Sequence, residues 1–313
     1  MTTGKRRKMS AASVGFIGLG RMGFGMASNL SKAGVPLTVC DLSPEPLNAL
    51  AAQGVSIAAD PAEVAASVDL LFICVPSDAE SEAVLFGERG VTTGKTGLPV
   101  IDTTTMNHGA ALRLWKRAQE EGFSYSDCPI SGMPFRAADG TLTIMFGGLQ
   151  EMFADARPYL DIMGEFIVHC GDVGMGQLMK AVNNIIYDVN IAAICEVMPL
   201  AVKAGLRPET LSKVLTTASA RSFASEYFVP RILDGRFDGD FSLRAAFKDI
   251  VNVQEVAARL EASLPVVDAM VSTYQAAIDQ GFGEESKSAM VKVYEDRLGQ
   301  KVRRPASTGS ADA

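Results

Sequence analysis

The stretch VGFIGLGRMGFGMASNLSKAG, residues 14 to 34, decides the fold. It opens on an apolar run that reads as a strand, continues into the helical composition of FGMASNLSKAG, and places Gly18, Gly20 and Gly23 between the two. Glycines at this spacing have a physical use. The first two permit a tight turn and let the backbone approach a pyrophosphate, and the third lets helix pack on strand at the positive end of the helix dipole. Glycines can also simply punctuate a turn. Here strand, glycine loop, helix and second strand follow in the order that phosphate binding requires, so Gly18, Leu19, Gly20, Arg21, Met22 and Gly23 form the predicted cradle.

Working outward, the second strand, VPLTVCD, ends at Asp41, about 20 residues past the fingerprint, where a carboxylate can accept hydrogen bonds from the ribose hydroxyls of NAD. Asp41 equally suits a cap for the turn before Pro44. Leu42 and Ser43 follow it, with no arginine to hold a 2′-phosphate, so NAD is expected as the cofactor in preference to NADP. VDLLFICVP, GLPVIDTTT, FSYSDCPI and TLTIMFGG read as further strands, and EPLNALAAQG and GAALRLWKRAQEEG as helices between strands. Strands separated by crossover helices imply a mostly parallel, doubly wound α/β sheet.

After GDVGMG, residues 171–176, the strand pattern stops, and helical periodicity runs to about Leu298. The chain is therefore expected to hold a dinucleotide-binding domain over residues 13–173 and an all-helical domain over 174–303, between a flexible basic tail, 1–12, and a flexible C-terminal tail, 304–313. The helical part should open on one long helix from Gln177 to about Ala204, roughly 40 Å in length at 1.5 Å per residue, with a bend near Pro199.

Composition narrows the function. A chain of 313 residues with 48% apolar residues can bury a core in each of two domains. The formal charge is −7, and without the four cations Lys5, Arg6, Arg7 and Lys8 the remainder is −11, which repels a phosphate backbone and argues against nucleic acid. The five cysteines are scattered with no CxxC, as expected of free thiols in a reducing, cytoplasmic setting, and the two histidines, His108 and His169, have no metal-ligand spacing, so no metal site is expected. No run reaches membrane-span length on this reading, and no signal peptide is visible.

Two further stretches carry polar residues in telling places. In GQLMKAVNNIIYDV, residues 176–189, Leu178, Val182, Ile185 and Val189 form an apolar stripe, while Lys180, Asn183, Asn184 and Tyr187 form a second. Periodicity alone assigns that second stripe to solvent. In DCPISGMPFRAADGTLTIMFGG, residues 127–148, Ser131 and Gly132 stand at a strand-to-loop junction that can offer a hydroxyl and backbone N–H groups to an anion, or can be an ordinary turn.

Taken in order, GFIGLGRMGFGMASNLSKAG, DTTTM, DCPISG…GTLTIMFGG, GMGQLMKAVNN and FKDI resemble the β-hydroxyacid dehydrogenase family, which includes 3-hydroxyisobutyrate dehydrogenases and tartronate semialdehyde reductases. The resemblance runs from about Val14 to Leu298. It implies a Rossmann domain followed by a long interdomain helix and an all-helical domain that makes homodimers or homotetramers. It also implies that Ser131 and Gly132 hold a substrate carboxylate, that Lys180 is the catalytic acid/base, and that Asn184 hydrogen-bonds the substrate. Thr104 and Thr105 would lie near the nicotinamide, Val75 and Pro76 would border the cofactor, and Phe247 and Lys248 would reach it from the helical domain, although Lys248 beside Asp249 also fits an ordinary surface pair.

The chain departs from the family where Ser-Gly-Gly and a further glycine three residues on are usual: it has Met133 and Arg136. Either both shape the substrate pocket, Arg136 as a second anion contact, or both point away and only pack or solvate.

The chemistry so implied is hydride transfer between a nicotinamide and a small 3-hydroxy carboxylic acid or its semialdehyde. Oxidising a hydroxyl needs a hydride acceptor and a base, and the reverse needs an acid at the same place. A lysine serves when burial and a neighbouring positive nicotinamide ring lower its pKa. Lys180 and Asn184, at i and i+4, project from one helix face. The rival readings are an imine-reducing relative, which usually replaces this lysine, and a non-catalytic dinucleotide sensor or scaffold.

Overall fold

The computed structural model describes residues 12–238 and 241–304; within these, the side chains of residues 248, 249, 251, 252 and 255 lie outside the description. The chain divides into two compact units, one ending at Lys180 and the other beginning at Ala181. The tails assigned to 1–12 and 304–313 lie almost wholly outside the described residues.

The first unit is built on one sheet of strands β1 (Val14–Ile17), β2 (Leu37–Cys40), β3 (Ser56–Ile57), β4 (Leu70–Ile73), β5 (Pro99–Asp102), β6 (Ser124–Asp127), β7 (Ile130–Ser131), β8 (Leu142–Gly147) and β9 (Gly164–Gly171). Their order is β3-β2-β1-β4-β5-β6-β8-β7, with β9 paired to β8. From β3 to β6 all pairings are parallel, in the doubly wound order that switches direction between β1 and β4. β8 runs antiparallel to β6 and β7, and β9 returns parallel to β8.

Burial on both faces explains why the central strands read as unbroken apolar runs. In β4, Leu70 and Phe72 face one core with Met26 and Leu30 of helix Gly23–Lys32 and Leu160 of helix Gln150–Met163. Leu71 and Ile73 face the other, with Val64 of helix Pro61–Ser67 and Leu114 of helix His108–Glu120. The period-2 alternation of a strand thus feeds two helix layers at once.

Three details differ from the sequence reading. FSYSDCPI is two strands, β6 and β7, because Pro129 interrupts the ladder and its carbonyl instead accepts from the Met145 N–H at 3.0 Å. β3 is too short to show a period. β9 escapes notice because its apolar Phe166 and Val168 are exposed, so it lacks the one-sided pattern of a half-buried strand.

The second unit packs helices Pro208–Leu215, Phe223–Leu233, Leu243–Arg259, Pro265–Ala277 and Met290–Leu298 with the later part of the long helix, Met175–Lys203. Ile191, Cys195 and Met198 of the long helix meet Phe228, Leu243, Tyr274 and Met290 in its core. The long helix continues unbroken through Pro199. Contrary to the sequence reading, this helix is long and apolar enough, by length and composition, to cross a membrane; 44% of its most apolar stretch is buried inside the protein.

Candidate active site

The parallel strands deliver their carboxyl ends to one edge, where open α/β sheets bind ligands. After β1, Gly18 has φ +95, and a Cβ there would sit 2.2 Å from the Cys74 carbonyl oxygen; one at Gly23 would sit 2.0 Å from the Gly18 oxygen. The loop is therefore wound too tightly for side chains at those two positions. A Cβ on the exposed Gly20, by contrast, would meet nothing within 4 Å. Helix Gly23–Lys32 starts at Met22 with no side-chain cap and no acidic residue in its first turn. Open space at the positive end of a helix that carries no side-chain cap fits a pyrophosphate. Arg21 is exposed beside it.

Asp41 follows β2. Its carboxylate accepts from Leu19 N–H at 2.5 Å and Ser43 N–H at 2.7 Å, so it fixes the glycine loop and caps its own turn together. The two oxygens retain lone pairs for ribose hydroxyls.

Thr104 is buried after β5. Its hydroxyl oxygen accepts from the Val75 N–H at 3.1 Å and from the Ser81 hydroxyl at 3.2 Å, tying the loop after β4, which carries Val75 and the exposed Pro76, to the loop after β5. Beneath it Asp102 accepts from Thr104 N–H at 2.9 Å and from the Tyr125 hydroxyl at 3.1 Å, and burial raises its carboxyl above the ordinary range. Thr105, beside it, is half-buried.

Ser131 ends β7, half-buried, and Gly132 follows with φ +148. Met133 then starts the short helix Pro134–Asp139. Lys180 comes to this place: its Nζ donates to the Ile130 carbonyl at 2.7 Å, one residue before Ser131. The structure thus brings Lys180 together with the Ser131–Gly132 junction. Arg136 turns its guanidinium to Glu165 at 3.5 Å and to Thr141 Oγ1 at 3.4 Å.

Sequence reasoning passed over the residues that hold these parts in place. The long helix is anchored by Asp127, at the end of β6, which accepts from Gly174 N–H at 2.5 Å and Gln177 N–H at 2.7 Å. Gln177 donates from Nε2 to the Thr104 carbonyl at 2.7 Å and accepts at Oε1 from Met106 N–H at 3.1 Å. Both residues lie inside quoted motifs, but their partners are 47 to 73 residues away in sequence.

In the helical unit, Asn184 is half-buried and accepts from Asn183 Nδ2 at 3.3 Å. Tyr187 packs among Phe223 and Phe228. Phe247 packs against the helical core, and the Lys248 side chain lies outside the described residues.

Comparison with known proteins adds the family. Residues 13–171 match the NAD binding domain of 6-phosphogluconate dehydrogenase, and residues 174–294 match the NAD-binding domain of NADP-dependent 3-hydroxyisobutyrate dehydrogenase. The chain is 35% identical over 291 residues to 2-(hydroxymethyl)glutarate dehydrogenase of Eubacterium barkeri, covering 92% of this chain and 97% of that protein. It is 34% identical over 284 residues to L-threonate dehydrogenase of Cupriavidus necator, covering 90% and 96%. Among solved structures, 3-hydroxyisobutyrate dehydrogenase from Salmonella typhimurium superposes with a TM-score of 0.79 at 30% identity, covering 90% of this chain and 99% of that one. An imine reductase from Myxococcus stipitatus, at 20% identity and a TM-score of 0.63 over 90% and 99%, shares the fold. With the nucleotide cradle and the Lys180 site already in place, these matches show that the chain belongs to the β-hydroxyacid dehydrogenase family and is an NAD(P)-dependent oxidoreductase of the 3-hydroxyacid class.

Proposed function

We propose that the enzyme interconverts a small 3-hydroxy carboxylic acid and its semialdehyde, with Lys180 as general acid/base and NAD preferred over NADP. The observation that carries this reading is the 2.7 Å hydrogen bond from Lys180 Nζ to the Ile130 carbonyl, which holds the ammonium beside Ser131 and Gly132. The Ser131 hydroxyl and backbone N–H groups of that loop hold the substrate carboxylate, and Asn184, one turn along from Lys180, orients the reacting oxygen. Gly18 to Gly23, Asp41, Val75, Pro76, Thr104 and Thr105 hold the dinucleotide. The dinucleotide supplies the hydride acceptor or donor at nicotinamide C4. In oxidation, Lys180 takes the hydroxyl proton while the carbinol C–H hydrogen leaves with its electron pair and the C=O bond forms; in reduction, Lys180 returns the proton.

The Asp41 carboxylate, with Leu42 and Ser43 rather than arginine after it, supports NAD. The names of the relatives suggest a panel of 3-hydroxyisobutyrate, L-threonate and 2-(hydroxymethyl)glutarate, to which glycerate is added as a small 3-hydroxy acid, each with NAD and with NADP, followed by absorbance of the reduced cofactor. A higher kcat/KM with NADP than with NAD would reject the cofactor preference. Lys180→Ala should lower kcat by about 10³-fold or more with NADH affinity largely kept; a fully active variant would reject the lysine. Met133, next to the carboxylate loop, is the residue proposed to shape the substrate, with Arg136 held back on Glu165 as a weaker second anion contact.

The proposal extends to assembly as a homodimer or homotetramer through the helical unit, in the cytoplasm. Val182, Ile186, Val197 and Leu200 of the long helix are exposed, which supports association. Light scattering on the purified enzyme tests it, and a monomer at micromolar concentration would reject it.

A further inference from the structure

We propose that Asp127 is a positioning residue that sets the acid limit of the reaction: its ionised carboxylate holds the first turn of the long helix, and through it Gln177 and Lys180, in working position. The inference rests on the reading of Lys180 as the acid/base.

The geometry is closely confined. Asp127 Oδ1 accepts from Gly174 N–H at 2.5 Å and Oδ2 from Gln177 N–H at 2.7 Å. The end of β8 and the start of the helix press against the same carboxylate. A Cβ on Gly147 would lie 2.4 Å from Oδ1, and one on Gly176 would lie 2.8 Å from Oδ2 and 2.5 Å from the Met145 oxygen. Both partners are donors. A carboxylate accepts from both at full strength, whereas protonation makes one oxygen a much weaker acceptor and costs much of the bond to its N–H. The loss falls on the turn where Gln177 clamps Thr104 and Met106, and Lys180 lies three residues beyond.

The surroundings bring the proton within physiological reach. Burial pushes the Asp127 carboxyl up to about 6, Asp102 on the neighbouring strand pushes the same way, and the backbone N–H bonds only partly offset them. The other titratable groups facing it are Tyr125, Cys128 and Cys170, all raised, while His108 lies against Gly174 from the helix that starts there. A carboxyl raised on folding stabilises the fold below its unfolded range, and that contribution is lost as pH rises through the folded value. Stability and activity should therefore move in opposite directions across pH 6, which a purely structural carboxylate would not produce.

The test uses the reductive direction with NADH and tartronate semialdehyde. Lys180, as the acid, is protonated at low pH, so its own titration lowers the rate only on the alkaline side. In the wild type, kcat should fall several-fold between about pH 7 and pH 5 while Tm rises. Hydrogen exchange over residues 174–180, corrected for intrinsic pH dependence, should quicken over the same interval. Asp127→Asn, permanently neutral, should show kcat near the wild type's acid value, with no acid limb, fast exchange that is flat in pH, and a smaller rise in Tm on acidification than the wild type, the remainder coming from the raised Asp102. An Asp127→Asn enzyme with wild-type kcat at pH 7.5, or one that keeps the acid limb as a His108 origin would require, overturns the proposal. So does a wild type whose rate and Tm fall together, or whose exchange over 174–180 ignores pH, and these readouts stand even if the variant fails to fold. Should Lys180→Ala be inactive while Asp127→Asn keeps its limb, only the positioning role falls; an active Lys180→Ala enzyme removes the catalytic assignment and this role with it.

Discussion

Two helix starts in the dinucleotide unit meet the same electrostatic problem in opposite ways. Helix Gly23–Lys32 begins with no side-chain cap and open space over Gly20. Helix Met175–Lys203 begins with Asp127 bonded to the Gln177 N–H of its first turn and to the Gly174 N–H just before it, and glycines pack against the carboxylate on both sides. A helix N-terminus attracts an anion in either case. On the proposed reading, the chain withholds its own anion where the pyrophosphate binds and leaves, and supplies one where Lys180 must stay put.

The most direct way to break the contrast is to make the first start resemble the second. Met22→Asp places a carboxylate where the pyrophosphate is expected, and like-charge repulsion of about 3 kcal/mol should raise the NADH Kd on the order of 100-fold. Fluorescence titration of bound NADH measures it, and unchanged affinity would move the phosphates elsewhere. A smaller effect tests the second start. Gln177→Leu removes both bonds to the Thr104–Met106 loop and leaves a buried carbonyl and N–H without that partner, for about 1 to 2 kcal/mol. If that cost falls on the reacting geometry, kcat/KM should drop about 10-fold with NADH affinity little changed. Helix His108–Glu120 supplies the neutral middle case, capped by Asn107 Oδ1 accepting from Ala110 N–H at 2.6 Å. Asn107→Ala should cost only about 1 kcal/mol in urea unfolding and leave kcat alone; a large kinetic effect would show that this cap, too, serves the site.

The contrast also marks how far sequence carries. The first start is legible because everything it needs lies within 30 residues: an apolar strand, three glycines, an amphipathic helix and Asp41 at the next strand end. Lys180 and Asn184 share a face by simple helical spacing, and the family resemblance then gives them work. The second start is not legible, because Asp127 meets Gly174 and Gln177 only after the sheet has closed, and nothing in DCPISG distinguishes a strand-ending aspartate from a helix anchor. Whether Arg136 faces the substrate or packs away is likewise open in the sequence, because β9, itself unrecognised, brings Glu165 to its guanidinium. The buried pair Asp188–Lys287, at 2.5 Å with the Tyr274 hydroxyl on the same carboxylate oxygen, joins residues 99 apart and was equally invisible.

The place where the chain divides has a practical meaning for exchange of parts between relatives. The change from strand pattern to helical periodicity suggests a seam at residue 173, yet Lys180 is the last residue of the dinucleotide unit and bonds within it to Ile130. A chimera that takes its helical half from another family member should keep its own lysine, its Ile130 contact and its Asp127 anchor when the splice falls after Lys180. Spliced at 173, the same chimera would import a foreign first turn onto a carboxylate shaped for this one. Whether activity survives the graft would then depend on seven residues rather than on the hundred that follow.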